Sequence, residues 1–202
     1  MQKLTSAHPQ VRQVENLKYF NSYLERASHF PNSMKISDLF FFPCEYYLAL
    51  ESVVEDIPRK KRSTPNSGTF SSEQVRLLLP ILSDYSQTTN VLCFYHKYYL
   101  SCLEENFASE HYGYCCKITE LPAVMGMPEN DFCPTLWWSE DKTWFFLNDY
   151  DLSCGIFGGS SLLGQTLNDV LPFKSIKVSP NISMEDVDSV FWNSIDTPVF
   201  RK

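Results

Sequence analysis

Residues 129–151 gather acidic and aromatic side chains that could do chemistry. Glu129, Asp131, Glu140, Asp141, Asp149 and Asp151 fall inside that window, and Lys142 is its one base, for a local net charge of −5. Trp137, Trp138 and Trp144 are interleaved with them. Two chemistries suit such a set. A pair of carboxylates can serve as acid and base on a glycosidic bond, with indole rings stacked on the sugar. Alternatively, the carboxylates form a surface that attracts a basic protein, and the rings are the packed support beneath it. Asp149 and Asp151 would share one face of a strand. Glu140 and Asp141 fall at the tip of a turn.

Other chemistries find less support in the spacing. The four histidines, His8, His29, His96 and His111, include no pair at the i, i+4 spacing that puts two ligands on one helix face. Cys115 and Cys116 are adjacent, so on a strand they point apart. No metal site and no cofactor are expected. No serine sits in a G-x-S-x-G turn. A cysteine hydrolase needs a thiolate beside a histidine. Seven cysteines and four histidines allow that pairing without specifying it. Gly158-Gly159-Ser160-Ser161 precedes an apolar-periodic stretch and could cradle an anion at a helix N-terminus. Lacking a lysine or a third glycine, the motif reads more simply as a serine cap, with glycines permitting a tight strand-to-helix turn.

Composition narrows the classes further. Of 202 residues, 44% are hydrophobic and 15% aromatic, enough for a large core. One α+β domain over residues 1–202 is expected. The net charge of −7 is unevenly spread. Residues 1–128 carry 12 basic and 13 acidic groups, whereas residues 129–202 carry 5 and 11. An acidic C-terminal third repels phosphate backbones, so direct nucleic-acid binding is not expected. Seven cysteines in odd number, without a C-x-x-C, suggest free thiols in a reducing cytoplasm. Met1–Gln10 is polar, and no apolar run approaches the ~18 residues of a membrane span.

The elements that must position these residues follow from periodicity. Val14, Leu17, Phe20, Leu24 and Ala27 predict a helix over 11–28, and Ile36 with Leu39–Phe42 a short buried segment. Tyr46, Tyr47, Leu50, Val53, Val54 and Ile57 predict a second helix ending at Pro58. The basic, Pro- and Ser-containing stretch that follows predicts an exposed loop near 58–69. Ser71-Ser72-Glu73-Gln74 is a capping box, with Phe70 and Val75 placed for a hydrophobic staple. Pro80 should kink or shorten the helix that starts there. The Tyr and Phe content of Val91–Leu100 suggests a strand, although Leu92, Tyr95, Tyr99 and Cys102 also fit a helix, and Tyr114–Leu121 reads as a strand broken at Pro122. Strands near Thr135–Trp138 and Trp144–Leu152 form a hairpin, the second running from apolar to polar as it emerges toward solvent. A helix over Leu162–Leu171, a strand near Ser175–Val178 and a helix from about Ser183 complete an α+β pattern. In it, N-terminal helices pack on a mixed or antiparallel C-terminal sheet.

The segment LWWSEDKTWFFLNDYDL, with FGGSSLL after it, resembles a pattern in small bacterial proteins. There a Trp-containing hairpin leads to an acidic strand, then Gly-Gly-Ser and a helix. In overall character the chain resembles the immunity proteins of bacterial toxin systems, including contact-dependent growth inhibition. That resemblance implies a cytoplasmic protein without catalytic activity, whose partner is a cognate toxin domain, expected to be a basic nuclease. Glu129, Asp131, Glu140, Asp141, Asp149 and Asp151 are then the partner-binding candidates. Reversing the charge of Glu140 and Asp141 should slow association and leave the fold intact. The alternatives are a small hydrolase with a Cys/His or paired-carboxylate site, and a carbohydrate-binding module.

Overall fold

The computed structural model describes residues 12–13, 34–52, 70–95, 112–125, 133–148 and 152–195. In chain order these form β1 (Arg12–Gln13), α1 (Ile36–Leu39), β2 (Tyr46–Glu51), α2 (Ser72–Tyr85), β3 (Asn90–Tyr95) and β4 (Tyr112–Lys117). A 3-10 turn over Ile118–Glu120 leads into α3 (Leu121–Met125). Then come β5 (Leu136–Ser139), β6 (Trp144–Leu147), β7 (Cys154–Gly159), α4 (Ser161–Val170), β8 (Ser175–Lys177) and α5 (Met184–Ile195). The strands make one eight-stranded sheet in the order β1-β4-β3-β5-β6-β7-β2-β8. Each of its pairings is antiparallel. The α+β class with an antiparallel sheet is thus the observed one. The predicted loop near 58–69 lies outside the described residues.

The sheet is covered on both faces, and the period of two along each strand divides its side chains between two cores. On one face Leu48, Leu50, Trp137, Trp144, Phe146 and Phe157 pack against Val75, Leu78 and Leu82 of α2 and Leu163 and Leu167 of α4. On the other, Tyr47, Ala49, Trp138, Phe145, Leu147 and Ile156 pack against Ile36, Leu39 and Phe40 and against Val187 and Phe191 of α5. Burial on both faces is why β2, β5, β6 and β7 are buried at every position.

That double burial also explains the largest departure from expectation. Tyr46–Glu51 is a strand, where the spacing predicts a helix. A run apolar at nearly every position satisfies three- and four-residue steps by default, so its apparent helical stripe carries no information. Arg12 and Gln13, inside the predicted first helix, pair with Cys115 and Tyr114 of β4. The other positions of that prediction lie outside the described residues. Tyr114–Leu121 is a strand only to Lys117, after which Leu121 and Pro122 open α3. Pro122 therefore starts a helix, in the first turn where its missing N–H costs nothing.

Local chemistry at the helix ends matches the sequence more closely. Ser71 Oγ accepts from Gln74 N–H (3.2 Å), and Gln74 Oε1 accepts from Ser71 N–H (3.2 Å). Phe70 and Val75 are both fully buried in the same core. Pro80 neither ends nor shortens α2, which runs five residues beyond it to Tyr85. The proline ring lies on the exposed face. Of the strand expected near Trp144–Leu152, residues 149–151 lie outside the described residues. β6 ends at Leu147, and a separate strand, β7, follows from Cys154. Gly158 and Gly159 belong to β7, and neither has a positive φ. Their role is close packing. A Cβ on Gly158 would lie 2.3 Å from a ring carbon of Phe40, and one on Gly159 2.5 Å from Phe157 Cζ.

Candidate functional site

The hairpin of β5 and β6 carries the residues of greatest interest. Its rings are core. Trp137 and Trp144 are fully buried, and Trp138 is nearly so. Trp137 stacks on Phe146 at 4.2 Å between centroids and meets Trp144 edge-on at 5.4 Å. Trp138 stacks on Phe145 on the opposite face. With these faces closed, the three indoles offer no exposed ring on which a sugar could stack. Of the strand end expected to emerge polar, Asn148 is described, whereas residues 149–151 lie outside the described residues. Asn148 is buried, and its Oδ1 accepts from Trp137 Nε1 (2.7 Å) and Cys133 Sγ (3.6 Å).

The tip is held by side-chain hydrogen bonds rather than left to solvent. Lys142 N–H donates to Ser139 O (2.9 Å), and Lys142 takes φ 62° to close the turn. A non-glycine residue there costs about 1 kcal/mol. Ser139 Oγ accepts from the backbone N–H of Thr143 (2.9 Å) and Trp144 (3.3 Å). Asp141 ties the tip to the loop after α2. Its Oδ2 accepts from the N–H of Gln87 (2.5 Å) and Thr88 (3.2 Å). Its Oδ1 accepts from Thr143 N–H (3.2 Å) and Oγ1 (2.8 Å). Partial burial pushes the Asp141 pKa up, but hydrogen bonds from Ser139, Thr143 and Gln87 together outweigh it and hold the carboxyl below its ordinary value. Glu140 points outward. Its Oε2 accepts from Asn90 Nδ2 (2.6 Å), and Asn90 Oδ1 in turn accepts from Lys117 Nζ (2.8 Å).

The sequence therefore grouped two acids that the structure separates by role. Glu140 is an exposed carboxylate on a fixed base, whereas Asp141 is a structural acceptor. Reversing both charges should cost stability as well as charge, because a lysine at 141 would present donors to the donors of Gln87 and Thr88. Glu129, Asp131, Asp149 and Asp151 lie outside the described residues.

Beside the tip is a groove of about 230 Å³, lined by Phe42, Pro43, Cys44, Glu45, Tyr85, Lys142, Thr143, Gly159, Ser160 and Leu163. Register makes it. Gly159 pairs with Tyr46 on one side and Trp144 on the other, so the starts of β2 and β6 and the end of β7 lie together at one end of these three strands. Glu45, Thr143 and Ser160 adjoin those three residues. Nothing in the sequence marks Glu45 as part of a site, since Lys142, Thr143, Gly159 and Ser160 lie about a hundred residues further along the chain.

The Gly-Gly-Ser motif borders this groove, and its structure resolves the anion question. Ser160 Oγ caps α4 by accepting from Leu163 N–H (3.3 Å). The N–H of Ser161 is taken by Glu45 Oε2 (3.1 Å). The helix N-terminus thus already holds an anion, the protein's own carboxylate. Cys44 lies on the groove wall. Burial pushes its pKa up to about 12, outweighing the lowering hydrogen bond with Tyr47, so the thiol stays protonated at neutral pH. Cys93 and Cys154 are likewise raised, chiefly by burial.

The six described cysteines, Cys44, Cys93, Cys115, Cys116, Cys133 and Cys154, are thiols. Cys102 and the four histidines lie outside the described residues. Among the described residues no group of three or more His, Cys, Asp or Glu side chains could hold a metal ion. No helix among them is long and apolar enough to cross a membrane. Comparison of the chain with known protein families, with curated proteins and with solved structures finds no match.

Proposed function

We propose that this chain is a protein-binding inhibitor of the immunity-protein kind. It acts in the bacterial cytoplasm and neutralises a cognate toxin domain with a basic surface, such as a nuclease. The observation that carries the reading is the hairpin tip. Asp141 and Ser139 fix its backbone, so Glu140 is presented on a rigid base. A charge held in place before binding loses less entropy on association than a mobile one. It also speeds encounter with a surface of opposite sign. The net −6 of residues 129–202 supports the same reading, since the long-range field attracts a basic partner and repels nucleic acid.

The test is a complex. The purified chain and the basic protein encoded beside it should co-elute in gel filtration as one species. Glu140→Lys should then lower the association rate and flatten its dependence on salt, because exposed charges are screened over about 8 Å at physiological ionic strength. Separate elution of the two proteins at micromolar concentration would refute the inhibitor reading. An unchanged association rate in Glu140→Lys would move the interface away from the tip.

A further inference from the structure

We infer that the outer seam between α2 and α4 is a docking surface for an amphipathic helix of a partner protein, one whose apolar stripe is flanked by lysines or arginines. This goes beyond the inhibitor reading and does not depend on it.

Helix direction makes the seam. Near the start of α2, Gln74 Nε2 donates to Glu51 O at the end of β2 (2.7 Å). Just past the end of α2, Ser86 Oγ accepts from Trp144 Nε1 at the start of β6 (2.7 Å). α4 begins beside Gly159, the partner of Trp144, and beyond its end Lys174 N–H donates to Glu51 Oε2 (3.3 Å). The two helices therefore run antiparallel on one face of the sheet. A 2.7 Å hydrogen bond between the Tyr85 hydroxyl and Thr166 Oγ1 joins them. Four-residue steps from that bond trace Ile81 and Leu77 along α2, and Leu162 and Val170 along α4. Ile81 and Tyr85 are half-buried, whereas Leu77, Leu162 and Val170 are 44%, 64% and 61% exposed. Among the described residues, three of the four exposed large hydrophobes thus fall on one seam, and the fourth, Val190, is on α5 across the sheet. Single exposed hydrophobes are ordinary, but an aligned set marks a contact surface.

Shape and charge select the occupant. The sheet lies beneath both helices, so no strand edge opens at the seam. Leu162 and Val170 are two turns apart, about 12 Å, which matches the apolar stripe of a third helix laid along them. Asp84 lies seven residues on from Leu77, and Asp169 seven from Leu162, so each acid shares the face of its helix that carries the seam. Both are exposed, as is Glu73 one turn before Leu77. Arg76 is the one base of the two helices. A second copy would set these acids against each other, and an anionic bilayer would be repelled, whereas a basic helix is attracted.

The probe is a capped peptide of two Leu-Lys-Ala-Leu-Ala-Lys-Lys heptads, titrated into the isotope-labelled full chain. Saturable shifts are expected at the backbone amides of Leu77, Ile81, Thr166 and Val170. Affinity should fall at least about tenfold when the peptide leucines become alanine, when its lysines become glutamate, or when the same residues are scrambled out of their stripe. Leu77→Lys on α2 and Val170→Lys on α4 should each cause a comparable loss, with thermal unfolding within about 2 °C of wild type because both side chains are exposed. Equal binding of the scrambled peptide would show attraction by charge alone and overturn the inference, as would saturable shifts confined to other elements or no binding at all. A dimer of the chain in sedimentation at micromolar concentration, abolished by Val170→Lys, would give the seam to a second copy and likewise overturn it.

Discussion

Replacing Asp141 by alanine should destabilise the fold by about 2–3 kcal/mol. The carboxylate accepts four hydrogen bonds, two from the loop after α2 and two from Thr143. A hydrogen bond to a charged group contributes about 1.5–3 kcal/mol when well shielded, and less where water competes. Asp141 is only partly buried, so about 1 kcal/mol for each loop bond is the appropriate scale. The Thr143 bonds add less, because Ser139 Oγ already accepts from the same N–H. For a chain of this size the loss lowers Tm by about 4–12 °C. The pH dependence follows from the lowered carboxyl pKa. With the folded value below the unfolded ~3.9, the stabilisation is fully present above about pH 4 and is lost as pH falls through the folded value. Asp141→Asn cannot ionise and should lack this increment of acid sensitivity. Thermal unfolding of wild type, Asp141→Ala and Asp141→Asn between about pH 2 and pH 7 measures both effects. An Asp141→Ala Tm within about 1 °C of wild type at pH 7 would refute the clamp, as would parallel acid profiles for wild type and Asp141→Asn. Glu140→Lys, changing an exposed side chain, should stay within about 0.5 kcal/mol of wild type.

Packing sets the cost of other substitutions, each read by denaturant unfolding. Trp144→Ala should cost about 3–5 kcal/mol, since the ring is fully buried among Trp137 and Phe146. Trp137→Phe should cost about 1–3 kcal/mol, because it removes the indole N–H that buried Asn148 Oδ1 accepts. Gly164→Ala should cost about 1–3 kcal/mol, because its Cβ would lie 2.2 Å from Tyr46 Cδ1 where α4 rests on β2. The buried thiols should react slowly with a disulfide reagent at pH 8 and rapidly after unfolding. Fast modification of Cys44 in the folded chain, located by peptide mass, would contradict its raised pKa.

How much was legible in the residues depended on whether the determinant is local. The cap of α2 is written in Ser71 and Gln74, and the cap of α4 in Ser160, because each satisfies backbone groups within three residues of itself. The β5–β6 hairpin was legible for the same reason, its ring pairs lying directly across a short turn. The α+β class followed from these pieces. What sequence could not supply was the surroundings of each piece. Tyr46–Glu51 looks helical until α1 and α5 on one side and α4 on the other bury both its faces. Gly158 and Gly159 look like a turn until Phe40 and Phe157 are packed where their side chains would be. Glu140 and Asp141 look like equal members of an acidic patch until the loop at Gln87 and Thr88 claims one of them. The groove is the extreme case. Glu45, Tyr85, Thr143 and Ser160 meet only because β2, β6 and β7 align in one register, and register is fixed by which faces are buried in the assembled sheet.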